Sequence, residues 1–484
     1  MEMDDRNLLA ATRRQFFGRC AVSLGQIALA SLLTDGKLFG ASAKPENPMA
    51  PKQPHFPAKV KNIIYLFMAG GPSQLELFDY KPKLQEYDRQ VAPESIMKGK
   101  RFAFMDTFTK SPPKLLGTQR VFQRHGKSGL YVSDLLPNIS RVADDIALIS
   151  AIATDNFNHA PAKCFINTGS IRFGRPSLGA WVTYGIGSES QDLPSFVVIQ
   201  SGPRVPRGGA GLWSSGFLPT AYQGVPFRSG GDPILDLSSP PGVPESSQRE
   251  ILDAIRDVNL TKESQTGDPE IATRIAAYEM AYRMQTSGPE LIDFSKETRK
   301  TLDMYGVEPG KATFANNCLL ARRLVERGVR FVQLYHTDWD HHGDLGQPLE
   351  QVCREIYRPT AALISDLKER GLLENTLVIW GGEFGRTPMG QGDLDQKGAK
   401  VGRNHHIDAY TMFMAGGGIA PGQRIGETDD LGFSQVVDRT HVNDVQATIL
   451  HLLGLDHKRL TFAFQGRQFR LTDVGGQVIQ KLLA

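Results

Sequence analysis

The segments VRFVQLYH (residues 329–336) and TLVIW (residues 376–380) decide the fold of this 484-residue chain. Each is a short apolar run that follows a helical pattern. Each ends in polar residues, TDWDHHGD (337–344) after the first run and GGEFGRTP (381–388) after the second. Continuous apolar strands that alternate with helices indicate a mostly parallel sheet with helices on both faces. We therefore predict an α/β fold.

Similar patterns extend towards both ends of the chain. Strands are predicted in VKNIIYLFM (60–68), at the end of DLLPNISRVADDIALISAI (134–152), in LPSFVVIQ (193–200) and in AYTMFMA (409–415). Helices are predicted after an N-cap at Asp268, at about 312–327, at 349–370 and in HVNDVQATILHLLGL (441–455). No internal repeat is apparent, and residues 58–484 are predicted to form a single domain.

One long segment has no clear helix or strand pattern. Residues 201–247 are rich in Gly, Pro and Ser and carry scattered aromatic residues, among them Trp213 and Tyr222. Connections longer than about 15 residues are usually functional or disordered. Because the aromatic residues argue against disorder, we interpret the segment as an insertion that covers the site.

The N-terminus carries an export pattern. Arg13 and Arg14 form a twin arginine ahead of the apolar run CAVSLGQIALASLL (20–33), and ASA (41–43) resembles a cleavage site. The run is too short for a membrane span, which needs about 20 residues. We predict a Tat signal peptide at 1–43 and a Pro-rich spacer at 44–57, with the Tat machinery as partner. The mature protein would be periplasmic or at the cell surface, with no transmembrane span.

Composition excludes some classes of partner and scaffold. Lys and Arg number 55 against 52 Asp and Glu, a net charge of +3, so nothing favours a nucleic-acid surface. Cys164, Cys318 and Cys353 have neither metal-like nor disulfide-framework spacing. They are predicted to be core thiols.

Polar side chains cluster after the predicted strands. Five of the eleven histidines lie in these stretches: His336, His341, His342, His405 and His406. Open α/β sheets bind ligands beyond the carboxyl ends of their strands, and oxygen and imidazole donors suit a divalent transition metal. The candidate ligands are Asp338, Asp340, His342, Glu383, His405 and His406.

Each candidate also has a simpler interpretation. A single Asp or His after a strand is more often a cap or a hydrogen-bonded loop residue. Three such clusters together favour a metal. Spacing does not choose between the Asp338/His342 and Asp340/His342 pairs, or between His405 and His406.

Several motifs together resemble a known family. They are GGPSQLELFDYKP (70–82), NHAPA (158–162), GRPSLGAWVTYGIGSE (174–189), WDHHGDL (339–345), GGEFGRTP (381–388), GRNHH (402–406), AGGGIAPG (415–422) and DVQATILHLLGLDH (444–457). With the twin-arginine signal, they resemble the bacterial domain-of-unknown-function family 1501, abundant in planctomycetes. The resemblance covers nearly the whole mature chain. It implies a relation to the sulfatase and alkaline phosphatase superfamily, whose α/β enzymes hold one or two metal ions.

The resemblance to sulfatases extends to single positions. His159 falls where sulfatases carry their nucleophile at a helix start, and Glu383 falls at a metal-binding aspartate position. The Asp338 to His342 spacing resembles the D-x-x-x-H pair of related phosphodiesterases. Ala69, Gly70 and Gly71 stand where sulfatases place paired metal-binding aspartates, which implies at most one ion or a rebuilt site.

The leading expectation is an exported hydrolase that acts on a sulfate or phosphate ester of a small molecule or polysaccharide. The cofactor would be a divalent metal, namely zinc, manganese, iron or calcium. His159 would act as nucleophile, ligand or general acid, or would simply be a hydrogen-bonded residue at a helix start. Arg386 would bind the anion, and Ser73 is an alternative nucleophile. The alternative expectation is a non-catalytic exported binding or assembly protein that keeps the fold.

Overall fold

The computed structural model describes residues 47–99, 112–230, 233–234, 244–396 and 398–484. Its strands are β1 (Asn62–Met68), β2 (Phe122–His125), β3 (Leu130–Ser133), β4 (Ile146–Ala153), β5 (Phe196–Ser201), β6 (Val225–Phe227), β7 (Phe331–His336), β8 (Thr376–Gly381), β9 (Gly385–Gln391), β10 (Gly402–His406), β11 (Tyr410–Gly416), β12 (Arg424–Ile425), β13 (Glu427–Thr428), β14 (Gln435–Val437), β15 (Thr440–His441), β16 (Phe462–Phe464) and β17 (Arg467–Phe469). Its helices are α1 (Gln74–Leu77), α2 (Pro82–Glu86), α3 (Glu94–Met97), α4 (His159–Thr168), α5 (Leu178–Ile186), α6 (Glu245–Thr266), α7 (Pro269–Ile292), α8 (Arg299–Tyr305), α9 (Phe314–Glu326), α10 (Gln347–Glu369) and α11 (Val442–Leu452).

A central sheet organises the fold. Its strands follow the order β12-β4-β11-β8-β1-β7-β5-β6, with β15 pairing with β4. β1 is parallel to both β7 and β8, whereas β11 runs antiparallel between β8 and β4. The ends of β1, β4, β7 and β8 therefore meet at one edge, and the predicted mostly parallel α/β fold is confirmed.

The sheet is buried on both faces because successive strand residues point to opposite sides. In β1, Ile64 and Leu66 belong to one apolar cluster, whereas Ile63 and Tyr65 belong to the other. Helices α9 and α10 pack into the first cluster. Helices α4, α5 and α11 pack into the second. This double cover explains why the strands read as unbroken apolar runs.

The 201–247 insertion does more than cover a surface. It adds edge strand β6, parallel to β5, and it buries Trp213, Tyr222 and Phe227 in the core. Its residues 231–232 and 235–243 lie outside the described part of the chain. Helix α6, which follows, was not predicted, and neither was the antiparallel pair β9–β10.

The predicted helices from Asp268 and around 312–327 and 349–370 are confirmed as α7, α9 and α10. The predicted signal peptide at 1–43 lies outside the described residues, as does the start of the spacer. Across the described ranges, none of the helices has the length and apolar character needed to span a membrane.

Candidate metal centre

Four side chains from three separate segments converge beyond the sheet edge. His159 is the first residue of α4, Asp340 and His342 lie in the loop after β7, and His405 lies in β10. Each contributes one donor atom to a group whose atoms all lie within 4.8 Å of one another. The hairpin β9–β10 brings His405 into place, because its register sets His405 opposite Arg386.

All three histidines use their Nδ1 atoms for hydrogen bonds that lead away from the cluster. His159 Nδ1 lies 2.8 Å from Glu383 Oε1, His342 Nδ1 lies 2.6 Å from Gln391 Oε1, and His405 Nδ1 lies 2.6 Å from the carbonyl oxygen of Phe157. These oxygens accept hydrogen bonds and have no proton to give. Each Nδ1 therefore donates, and in a neutral ring each Nε2 then carries a lone pair.

The three Nε2 atoms face the carboxylate of Asp340. The distances are 2.9 Å from His159 to Oδ2, 2.8 Å from His342 to Oδ1 and 3.2 Å from His405 to Oδ1. The His159 contact is close but not aligned as a hydrogen bond, since its buried Nε2 has no hydrogen-bond partner among the described residues. Convergence of three imidazole nitrogens on one carboxylate is expected of ligands that point at one ion.

Two of the histidine rings approach each other closely. His342 Nε2 and His405 Nε2 are 2.9 Å apart. With both Nδ1 atoms donating elsewhere, two neutral rings would present lone pair against lone pair. A proton or a metal ion between them removes that repulsion.

The pKa values in the cluster follow from its charges. Burial acts to raise the pKa of Asp340, but the three histidines and Arg386 outweigh burial and hold it far below its usual value. Burial, opposed by Asp340, lowers the pKa of His405 to about 4, so its ring is neutral at pH 7. Burial also favours neutral His159, yet Asp340 and Glu383 raise its pKa above the usual value. The two carboxylates, Glu383 at Nδ1 and Asp340 at Nε2, thus favour positive charge at the His159 ring.

Arg386 supports Asp340 from behind. Its guanidinium is buried, and Nη2 lies 2.7 Å from Asp340 Oδ1. Its other donors reach backbone carbonyls, with Nε 2.8 Å from Gly71 and Nη1 3.0 Å from Arg403, while Nη2 also donates to Gly70. Arg386 thus holds Asp340 and the turn after β1 through these contacts, and its contact with a substrate anion stays a prediction.

Glu383 orients a ligand, and the structure does not place it in the four-residue cluster. Its fully buried carboxylate contacts His159 Nδ1, Lys163 Nζ at 3.0 Å and the backbone N–H of Gly70. Burial acts to raise the pKa of Glu383, but Lys163 and then His159 lower it to about 2. A carboxylate that accepts the far proton of a metal-binding imidazole fixes the ring and strengthens the donor.

The remaining predicted residues lie outside the cluster. Asp338 adopts a left-handed conformation, with φ of 74°, and faces Arg204 at 3.6 Å. His406 points away from His405, as strand alternation requires, and its Nε2 lies 2.8 Å from the carbonyl oxygen of Phe433. Ser73 is buried at the N-cap of the four-residue helix α1 and lines no part of the pocket beside the cluster.

A small pocket adjoins the cluster and is rich in basic residues. His159 and Asp340 form one side, and Lys163, Arg204 and Arg207 also line it. The side chains of Asp340 and His342 are 30% and 29% exposed, whereas those of His159 and His405 are 5% and 6% exposed. The cluster is therefore most open to solvent on the side of Asp340 and His342.

Sequence reasoning missed Lys163, Gln391 and the basic pair Arg204 and Arg207. Lys163 carried a usable signal, because it lies four residues after His159 and so shares its helix face. Gln391 had none, since its contact with His342 depends on the β9–β10 hairpin. Arg204 and Arg207 lie in the insertion, where no helix or strand pattern in the sequence indicated which way their side chains point.

Comparisons with known proteins give a family and a set of distant structures. The family model described as "Protein of unknown function (DUF1501)" matches residues 60–483. No curated protein sequence matches this chain.

Three solved structures illustrate the distant similarity. An alkaline phosphatase from the Antarctic bacterium TAB5 is 12% identical, with a TM-score of 0.31 and coverage of 83% of this chain and 99% of that chain. A sulfatase from Pseudoalteromonas is 14% identical, with a TM-score of 0.34 and coverage of 82% and 68%. An alkaline phosphatase superfamily protein from Vibrio parahaemolyticus is 11% identical, with a TM-score of 0.33 and coverage of 85% and 71%. All three TM-scores are below 0.5, so these similarities carry no argument about the function of this chain.

Proposed function

The chain belongs to the family described as "Protein of unknown function (DUF1501)", and we propose that it is an exported, metal-dependent hydrolase of a sulfate or phosphate ester. One observation carries the proposal. His159, His342 and His405 each direct Nδ1 to an outer acceptor and Nε2 towards Asp340. Three imidazoles and one carboxylate form a complete ligand set for a divalent metal.

The chemistry of the donors limits the choice of metal. Three imidazole nitrogens suit zinc or iron, and manganese, which prefers oxygen ligands, would rely more on the Asp340 carboxylate. Calcium prefers six to eight oxygen ligands, so it is the weakest of the four metals expected from the sequence. When bound, the ion would supply Lewis acidity to an ester oxygen or to a water molecule.

The surrounding side chains suit an anionic substrate. Arg204 and Arg207 line the approach to Asp340; Arg204 faces Asp338 at 3.6 Å, but its side chain is 73% exposed and keeps donors open to solvent. Arginine presents a planar set of donors that matches sulfate and phosphate oxygens. Glu383 and Arg386 hold His159 and Asp340 in position, so the substrate's charge meets a preorganised centre.

Metal content and turnover test this proposal together. Purified wild type should contain one zinc, manganese or iron per chain by mass spectrometry and should hydrolyse 4-nitrophenyl sulfate, 4-nitrophenyl phosphate or bis(4-nitrophenyl) phosphate. His342→Ala should lose both properties, whereas His125→Ala, in the β2–β3 hairpin away from the cluster, should keep both. Metal retained in His342→Ala, or a folded wild type that binds no metal, would refute the ligand assignment.

A second candidate is a non-catalytic metal-binding protein. One observation favours it, because four protein donors close a tetrahedron, as in structural zinc sites, whereas catalytic zinc usually keeps a position open. Stoichiometric metal without turnover of any of the three esters would support this candidate. Turnover that depends on His342 would exclude it.

Export by the Tat system is a separate part of the proposal. It is supported by Arg13 and Arg14 ahead of an apolar run. A double Arg13→Lys, Arg14→Lys variant should remain in the cytoplasm, whereas the wild-type protein should be recovered from the periplasm or cell surface. Equal export of the two proteins would contradict a Tat signal.

A further inference from the structure

A second cavity lies beside the metal centre. This cavity, which we call the helix cavity, has a volume of about 770 Å³ and lies between the ends of β5 and β7 and helices α8, α9 and α10. Ligand sites commonly occupy about 300–1,000 Å³. Its wall includes Ser201, Phe314, His336, Gln351, Arg354 and Glu355. None of these residues belongs to the metal cluster.

The helix cavity is close to electrically neutral. Two arginines, Arg354 and Arg358, and two glutamates, Glu308 and Glu355, line it. Arg358 donates to the backbone carbonyls of Asp303 and Met304.

The other charges of the wall are also paired. Arg354 Nη2 lies 3.4 Å from Glu350, Glu308 lies 2.5 Å from Lys311, and Glu355 lies 2.8 Å from His336 Nε2. With two arginines and two glutamates in the wall, and with ion-pair partners for Arg354, Glu308 and Glu355, the cavity suits an uncharged ligand better than an anion.

The wall offers hydrogen-bonding groups beside apolar surface. The amides of Gln347 and Gln351 and the carboxylate of Glu355 provide donors and acceptors, whereas Phe314 and Pro359 provide apolar contacts. An uncharged sugar ring has the complementary character, with hydroxyl groups around its edge and C–H groups on its faces. Each hydroxyl group of such a ligand both donates and accepts hydrogen bonds, so the ligand requires donors and acceptors in the wall.

The helix cavity is connected to the loop that carries two metal ligands. Glu355 accepts from His336 Nε2 at 2.8 Å, and Trp339 Nε1 donates to His336 Nδ1 at 3.0 Å. His336 is 1% exposed and Trp339 is fully buried. Since Trp339 directly precedes Asp340, the wall of the cavity helps to position the metal-binding loop.

The same two segments of backbone separate the helix cavity from the metal centre. Ser201 and Gly202 line the cavity, and Arg204, two residues later, lines the small basic pocket. Likewise His336 lines the cavity, and Thr337 and Asp338 line the pocket. One extended molecule that crosses these strand ends would contact both.

We propose that the helix cavity binds an uncharged, polyhydroxylated unit, one or more sugar rings, of the molecule whose anionic ester is cleaved at the metal centre. The link to cleavage rests on the hydrolase function proposed above. Binding of sugar in the cavity does not depend on it. The substrate class is therefore a sulfated or phosphorylated glycan in which charged and uncharged rings adjoin.

Binding of defined neutral oligosaccharides tests the proposal. Full-length protein should bind at least one member of an array of gluco-, galacto-, manno- and xylo-oligosaccharides, and titration calorimetry should then give its affinity. Gln351→Trp should weaken this affinity at least tenfold by filling the cavity; because Gln351 is exposed, the fold should tolerate the change. Lys262→Trp, on the exposed surface of α6, is the matched control and should bind as wild type does.

The metal-centre variant separates failure of the two proposals. His342→Ala should lose metal but keep oligosaccharide binding, since His342 does not line the helix cavity. Sugar binding by a wild type without metal would overturn the hydrolase and leave the cavity assignment standing. Absence of binding across the array, or equal binding by Gln351→Trp and wild type, would overturn the cavity assignment whatever the metal content.

Discussion

Replacement of Glu383 by glutamine should destabilise the protein by about 3–5 kcal/mol at pH 7. The carboxylate is fully buried and lies 3.0 Å from the ammonium of Lys163, which is itself 3% exposed. Removing one partner of a buried ion pair costs about 3–5 kcal/mol, because the other charge stays buried without compensation. The pKa of Glu383 supports this magnitude. It falls from 4.5 to about 2, and one pKa unit corresponds to about 1.4 kcal/mol, which makes about 3 kcal/mol.

Urea unfolding of the metal-free protein measures this effect. Chelator in every sample removes the contribution of the ion, and linear extrapolation gives the free energy of unfolding. The Lys163→Met, Glu383→Gln double variant should regain at least half of the loss, because no charge then stays buried alone. A loss below about 1 kcal/mol in Glu383→Gln, or a double variant no more stable than the single one, would refute the reasoning.

The same variant should also bind metal less tightly. Glu383 fixes the ring of His159 through Nδ1, and loss of such an outer carboxylate typically weakens metal affinity by about 10–100-fold. Competition with a chromogenic chelator would measure the change. An affinity equal to that of wild type would show that Glu383 does not act through His159.

Three further predictions concern the ligands, the ion and pH. His405→Gln should abolish stoichiometric metal in mass spectrometry, whereas His406→Gln should keep it, since the two rings point to opposite faces of β10; the reverse result would refute the assignment. Addition of metal at about 1,000 times its dissociation constant should raise the free energy of unfolding of the apo wild type by about 4 kcal/mol. The same addition should leave the free energy of unfolding of apo Asp340→Ala unchanged. Equal increases in the two proteins would refute a metal site at Asp340. Because the folded-state pKa of Glu383 lies below its usual value, the stabilisation that its carboxylate provides is complete above about pH 5 and is lost as pH falls towards 2. The difference in unfolding free energy between wild type and Glu383→Gln should therefore shrink over this pH range. A difference that stays constant would contradict this prediction.

The strands and their polar ends were predictable because their signals are local. A buried parallel strand is an unbroken apolar run, and the first polar residue after it marks the sheet edge. The sequence alone therefore located four polar residues of the site at the sheet edge, in the stretches after β7 and β8: Asp340, His342, Glu383 and Arg386. The prediction of His159 as a residue of the site came from the motif resemblance, and the structure brings it to Asp340.

The roles within these stretches were not predictable from spacing. Asp338 and Asp340 are two residues apart in a loop, and only the folded loop, with Trp339 buried between them and φ of 74° at Asp338, turns Asp340 towards the histidines. In the sequence, Glu383 is a charged residue after a strand and cannot be distinguished from the candidates for metal ligands. Its place behind His159 depends on the relative position of β8 and α4, which are distant in sequence.

The sequence by itself determined the class of fold, the edge of the sheet at which the polar residues gather and the donor types available there, because hydrophobic period and strand-end chemistry act over a few residues. Tertiary structure alone decided which donors meet. The register of β9 against β10 selected His405 over His406, and the packing of α4 against the sheet edge brought in His159. Both depend on contacts between segments far apart in the chain, where shifts of one residue exchange a ligand for a side chain that points the opposite way.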